Sequence, residues 1–169
     1  PNAIKIFKEL VFIKNNYTQL SSFYLGEIYS KENKFNFALN AYYASYKTDT
    51  DSVYTQNSLL NYSKINYVIG DHDLAIITLE KLISKYPNFK KDEVNKLLGE
   101  NYFMTNNYKK IVSYIESLDE ISNDVKKKYQ TITYQKGVNQ FNKGNFNSSI
   151  NYFNLSTKYN VDKSIYLES

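Results

Sequence analysis

The side chains with the most chemical potential in this sequence stand together at Asp71-His72-Asp73. Two carboxylates beside an imidazole can raise its pKa or hold a cation. His72 is the only histidine and cysteine is absent, so the sequence offers no His pair or thiolate set for zinc and no disulfide framework. The densest charge run, Lys126-Lys127-Lys128, could attract a phosphate-bearing or acidic partner. No P-loop, Gly-x-Gly-x-x-Gly, Gly-x-Ser-x-Gly or His-Glu-x-x-His pattern occurs. A third resource is the ring content, 18 Tyr and 10 Phe, because amphipathic rings contribute contact area at low entropic cost.

What these residues do depends on the elements that carry them, and those elements repeat. Four turns read Lys31-Glu32-Asn33-Lys34-Phe35, Gly70-Asp71-His72, Asn106-Asn107-Tyr108 and Gly144-Asn145-Phe146. Ala38, Ala75, Ile111 and Ser149 follow each turn, then Tyr42, Leu79, Ile115 and Phe153 four positions on, along one helical face. From Phe35 to His72, Tyr108 and Phe146 the steps are 37, 36 and 38 residues. The pattern predicts helices over 2–14, 18–31, 35–48, 51–69, 72–85, 89–105, 108–118, 122–143 and 146–158, with no competing strand alternation. Ser122 and Asn88 are suitable N-caps, Gly70 and Gly144 suit helix ends, and Pro87 blocks continuation of the helix before it.

The repeat also decides between readings of the candidate chemistry. His72 falls in the slot that Phe35, Tyr108 and Phe146 fill elsewhere, so it is expected to pack as one more ring, with the aspartates capping the next helix. Three adjacent lysines on a helix point about 100° apart and make a solvated surface, not a flat patch. No catalytic constellation and no cofactor site is therefore expected.

Composition narrows the classes further. All 21 basic residues are lysine, and the planar guanidinium that reads phosphate and guanine bidentately is absent, which argues against nucleic acid. Abundant Asn, Lys, Tyr and Ile also follow from AT-rich codons. A net charge of +4 gives little electrostatic steering. With 42% hydrophobic residues the chain can bury a core, while its apolar runs are too short for a membrane span of about 20 residues.

Leu25-Gly26-x-x-Tyr29 with Ala38, Leu98-Gly99-x-x-Tyr102 with Tyr108, and Gly70 through Ala75 to Pro87 resemble the tetratricopeptide repeat (TPR) family. The resemblance covers nearly the whole chain, although Ser63 stands where the small glycine is usual, Ile111 where alanine is, and Lys136 and Gln140 where apolar residues are. It implies an all-α, right-handed superhelical solenoid of helix-turn-helix hairpins. The implied array places repeats at 18–48, 51–85, 89–118 and 122–158, with 1–14 as the second helix of a preceding repeat and 164–169 as the start of the next. On that reading the sequence is a fragment of a longer array, without an initiator Met or a signal segment.

The family register further implies an inner groove walled by first helices. Its lining would be Phe23 and Glu27; Leu60, Lys64 and Tyr67; Lys96, Glu100 and Phe103; then Tyr134, Val138 and Phe141. The implied function is a non-enzymatic scaffold that holds a peptide segment or a protein subunit on its concave face, with no small-molecule substrate. A regulatory or anchoring module of a larger enzyme is the alternative. Lys64 and Lys96 match a carboxylate-clamp arrangement only loosely. The run from Asn61-Tyr62-Ser63-Lys64 through Tyr86-Pro87-Asn88 and Tyr102-Phe103-Met104 to Lys136-Gly137 looks like long TPR proteins of Bacteroidota envelopes. That likeness implies a periplasmic or outer-membrane-associated assembly, some of them in secretion or gliding, with a cytoplasmic location as the alternative.

Overall fold

The computed structural model describes residues 2–13, 17–105, 107–118 and 120–169, and the described residues hold ten helices and no strand. They form two compact units, Pro1–Met104 and Thr105–Ser169. The first contains α1 (Asn2–Ile13), α2 (Thr18–Lys31), α3 (Phe35–Thr48), α4 (Ser52–Ile69), α5 (His72–Lys85) and α6 (Lys91–Met104). The second contains α7 (Tyr108–Glu116), α8 (Asn123–Asn142), α9 (Phe146–Ser156) and α10 (Lys163–Glu168). No described helix is long and apolar enough to cross a membrane.

Helix ends follow local chemistry. Asp51, Asp71, Asn107, Ser122 and Asp162 each accept a backbone N–H in the first turn of α4, α5, α7, α8 and α10. The hairpin turns need a left-handed residue, met by Asn33 (φ 56°), Gly70 (φ 84°) and Gly144 (φ 75°). The next amide then reaches back to a helix carbonyl: Lys34 to Tyr29, Asp71 to Asn66 and Asn145 to Gln140, at 2.8–2.9 Å. In the third turn Asn106 lies outside the described residues, as do residues 1 and 14 of the expected first helix. Asn88 is not the N-cap expected of it. Pro87 disfavours helix in the residue before it, Phe89 donates to the Tyr86 carbonyl, and Lys90 takes φ 42°, so α6 starts only at Lys91. α7 and α9 stop two residues earlier than expected, because Leu118 and Lys158 bond three residues back instead of four.

In the first unit each helix packs on the next, from α1 to α6, and the first helices α2, α4 and α6 of successive hairpins also touch. This is the nearest-neighbour order of a solenoid. Leu25, Tyr29, Ala38, Tyr42, Tyr62 and Ile65 form one buried cluster of this unit, with Phe7, Phe35 and Leu39 against it. In the second unit α8 is the hub, touching α7, α9 and α10.

Two recurring devices hold the hairpins. At Gly26 an added Cβ would lie 2.6 Å from the Tyr42 ring, and at Gly137 it would lie 2.6 Å from the Phe153 ring, so each first helix offers a notch for an aromatic knob sixteen residues on. The second is a buried glutamine. Gln19 Oε1 accepts from the Asp51 N–H (2.7 Å) and from the Thr50 N–H and hydroxyl, while its Nε2 donates to the Asp51 carbonyl and to Thr55. Gln130 does the same to Asp162, accepting its N–H at 2.7 Å and donating to its carbonyl at 2.9 Å, across the same separation of 32 residues. Each glutamine thus fixes the residue that caps the following first helix.

Candidate protein-interaction face

Because α2, α4 and α6 lie side by side, side chains on one helix meet those on the next. The Glu27 carboxylate of α2 accepts the Asn61 amide of α4 at 2.7 Å and the Tyr42 hydroxyl at 2.6 Å. One turn on, Lys64 of α4 pairs with Glu93 of α6 at 2.5 Å. These two bridges tie three first helices into one face. A cleft of ≈ 170 Å³ opens between α2 and α4 beside Glu27, Lys31, Asn61 and Lys64. Nearer the N-terminal ends of α2 and α4, Phe23 lies 5.3 Å from the Tyr54 ring of α4 and 6.0 Å from Tyr42, and Tyr24 approaches Tyr54 at 6.4 Å and stacks on Phe7.

Electrostatics agree with this placement. The hydrogen bond from Lys64 holds the Glu93 carboxyl below its ordinary range, although both groups are solvated and the pair is worth little by itself. Burial, reinforced by the bond to Glu27, pushes the Tyr42 hydroxyl well above its ordinary range, so it donates as a neutral phenol at any physiological pH.

The residues assigned to the groove by register divide into three groups. Phe23, Glu27, Lys64, Tyr67, Glu100 and Phe103 are half-buried and Lys96 is exposed, all in the first unit. Leu60 is different. It is fully buried and offers a partner no surface, because α4 is enclosed by α2, α3, α5 and α6 and its helix face at that point turns into the core. Tyr134, Val138 and Phe141 belong to the second unit: the Tyr134 hydroxyl donates to Glu168 at 2.8 Å, Val138 is half-buried, and Phe141 stands exposed against Phe146. Register reasoning missed Asn61, Tyr54 and Glu93, which complete the face through neighbouring helices.

The two other candidates take structural places. His72 sits edge-on to Tyr67 with ring centroids 5.6 Å apart, and its Nδ1 lies 3.0 Å from Asn101 Oδ1. Asp71 caps α5. Among the described residues no group of three or more His, Cys, Asp or Glu side chains could hold a metal ion. Lys126 lies over the Tyr159 ring at 5.9 Å, while Lys127 and Lys128 are exposed, so the triplet does not converge.

Residues 57–88 match the family model of the tetratricopeptide repeat. That span runs from the middle of α4 through α5 to Asn88 and includes the Gly70 turn, Ala75 and Pro87. The fold also matches solved structures of MamA. A crystal structure of MamA protein is 19% identical with a TM-score of 0.57, over 90% of this chain and 97% of that one. MamA MSR-1 is 20% identical over 84% of this chain and 76% of that one, TM-score 0.45, and MamA AMB-1 is 18% identical over 85% and 73%, TM-score 0.46. No curated protein matches the chain in sequence. Residues 57–88 thus carry a tetratricopeptide repeat, within a chain that shares its all-α fold with the MamA crystal structure.

Proposed function

We propose that the chain is a non-enzymatic protein-interaction scaffold whose first unit binds a peptide segment or protein subunit along the face shared by α2, α4 and α6. The observation that carries this reading is the pair of bridges, Glu27 to Asn61 and Lys64 to Glu93, which join three helices into one preformed surface. A preformed surface spares the partner's binding energy the cost of ordering the receptor. Phe23, Tyr24 and Tyr54 supply contact area, and Glu27, Asn61, Lys64 and Lys96 supply charge and hydrogen bonds that select among partners.

The test is quantitative capture of partners from native lysate with the wild-type chain, the face variant Phe23→Ala/Lys64→Glu and the second-helix variant Ile77→Ser, all matched for helicity. Recovery should fall at least tenfold for the face variant and stay unchanged for Ile77→Ser. Equal recovery by all three refutes the assignment.

The proposed setting is an envelope assembly, in the periplasm or at the outer membrane. It rests on the resemblance of Asn61-Tyr62-Ser63-Lys64 and the later runs to long envelope TPR proteins. Fractionation of the source cells tests it, with recovery in the cytoplasmic fraction as the contrary result.

A further inference from the structure

Within the second unit a cleft of ≈ 360 Å³ opens between α7 and α9. Lys109, Val112 and Ser113 wall it from α7, and Ser148, Asn151, Tyr152 and Leu155 wall it from α9. Both sets follow helical spacing, so each is a single stripe of its helix. The inner stripes are already occupied. Ile111 and Ile115 of α7 are buried, and Ser149 of α9 is buried and donates to the Gly137 carbonyl of α8 at 2.9 Å. The cleft is therefore what two helices packed on one hub, α8, leave between their outer flanks.

The polar groups that line it have no partner within the chain. Among the described residues the Lys109 ammonium meets no carboxylate, and the side chains of Ser113, Ser148, Asn151 and Tyr152 make no hydrogen bond. Every other described serine and threonine of this unit has its hydroxyl in a hydrogen bond, from Thr105 to Ser169. The two exceptions stand on opposite walls of one cleft.

Their chemistry defines a ligand. No acidic side chain lines the cleft, so its one formal charge is positive and selects an anion. Hydroxyls and a carboxamide both donate and accept, which suits a ligand rich in hydroxyl groups. The Tyr152 ring, with Val112 and Leu155, offers an apolar wall to the C–H face of a sugar. The volume lies within the range of about 300–1,000 Å³ usual for small-molecule sites. A phosphate ester carries close to two charges near pH 7, more than one ammonium matches, whereas a carboxylate carries one. We propose that the cleft between α7 and α9 binds a carboxylated sugar, with its carboxylate on Lys109, its hydroxyls shared among Ser113, Ser148 and Asn151, and its ring against Tyr152. This site is separate from the first-helix face of the first unit and involves no bond-making.

The test titrates the complete, isotope-labelled 169-residue chain with glucuronate, glucose, acetate and glucose-6-phosphate and follows its backbone amide resonances. Glucuronate should give saturable shifts concentrated in 109–113 and 148–155. It should bind at least tenfold more tightly than glucose, which lacks the charge, and than acetate, which lacks the hydroxyls. Lys109→Gln and Asn151→Ala should each weaken glucuronate at least tenfold, while Lys143→Gln, the same loss of charge at the exposed end of α8, should leave its affinity unchanged. All three positions are exposed, and matching circular dichroism establishes that the variants are folded. Absence of saturable shifts, or shifts centred elsewhere, overturns the proposal. So does glucose binding as tightly as glucuronate, or an equal loss from Lys143→Gln, since the charge at Lys109 would then play no specific part. Tighter binding of glucose-6-phosphate overturns the assignment of a carboxylate.

Discussion

Replacing Gly26 with alanine sets two effects of opposite sign against each other. Alanine is favoured over glycine inside a helix by about 1 kcal/mol, so a free helix face predicts stabilisation. The structure predicts the reverse. The new methyl would lie 2.6 Å from Cδ1 and Cε1 of Tyr42 and 2.9 Å from its Cγ, distances that force the ring to move. Tyr42 has little freedom to do so, being 1% exposed with its hydroxyl bonded to Glu27 at 2.6 Å. Overpacking of this kind costs about 1–3 kcal/mol, and a weakened hydrogen bond to a carboxylate adds about 1 kcal/mol or more. The expected net effect is destabilisation by about 1–3 kcal/mol, read from urea unfolding followed by circular dichroism. The second repeat supplies the rescue, since Ser63 and Leu79 occupy the same sixteen-residue spacing. Gly26→Ala with Tyr42→Leu should be less destabilised than the sum of the two single variants. A Gly26→Ala protein as stable as wild type, or more so, refutes the knob-and-notch reading.

Other consequences are open to measurement. Gln19→Ala removes five hydrogen bonds from a side chain 2% exposed and strands the Thr50 and Asp51 amides; it should cost about 2–4 kcal/mol and free the start of α4 to exchange, while Gln19→Glu, which cannot donate to the Asp51 carbonyl, should fail to restore it. Leu60→Glu places a carboxylate in a fully buried site and should unfold the first unit, whereas Lys64→Glu, four residues on at a solvated position, should leave helicity intact. Tyrosine ionisation should limit alkaline stability: burial raises the Tyr42 and Tyr129 hydroxyls and pushes Tyr46 up to about 12, from 10.0. A raised folded-state pKa contributes stability that is complete below about pH 10 and lost as pH climbs toward the folded value. Absorbance at about 295 nm should therefore show a class of tyrosines that titrates only together with loss of helix, and ionisation of every tyrosine near pH 10 in a still-helical protein is the contrary result.

The hairpins were legible because their punctuation is local. Gly70, Gly144 and Asn33 take the left-handed residue of three of the four turns, and the residues three positions after Phe35 and His72 must be small enough for a fully buried site, as Ala38 and Ala75 are. His72 was placed among packing rings on the same grounds, and it packs against Tyr67. What register could not deliver was depth. Phe23 and Leu60 hold the same position in successive repeats, yet one is half-buried and the other sealed, because α4 has packed helices on more sides than α2. Nor could register pair Glu27 with Asn61 or Lys64 with Glu93, since those contacts depend on how neighbouring first helices lie. The glutamine clamp did leave a trace in the sequence, Gln19 to Asp51 and Gln130 to Asp162 at one spacing, but two polar residues 32 apart carry no meaning until a turn is known to bring them together.

The assignment of the first-helix face is tested most directly by photo-crosslinking from single positions. A benzoylphenylalanine placed at Lys31 or Lys96, on first helices, is compared with one at Tyr43 or Ile77, exposed on second helices. Irradiation in native lysate should yield a discrete covalent adduct with one polypeptide from positions 31 and 96 and none from 43 and 77. Adducts from 43 and 77, with none from 31 and 96, contradict the assignment.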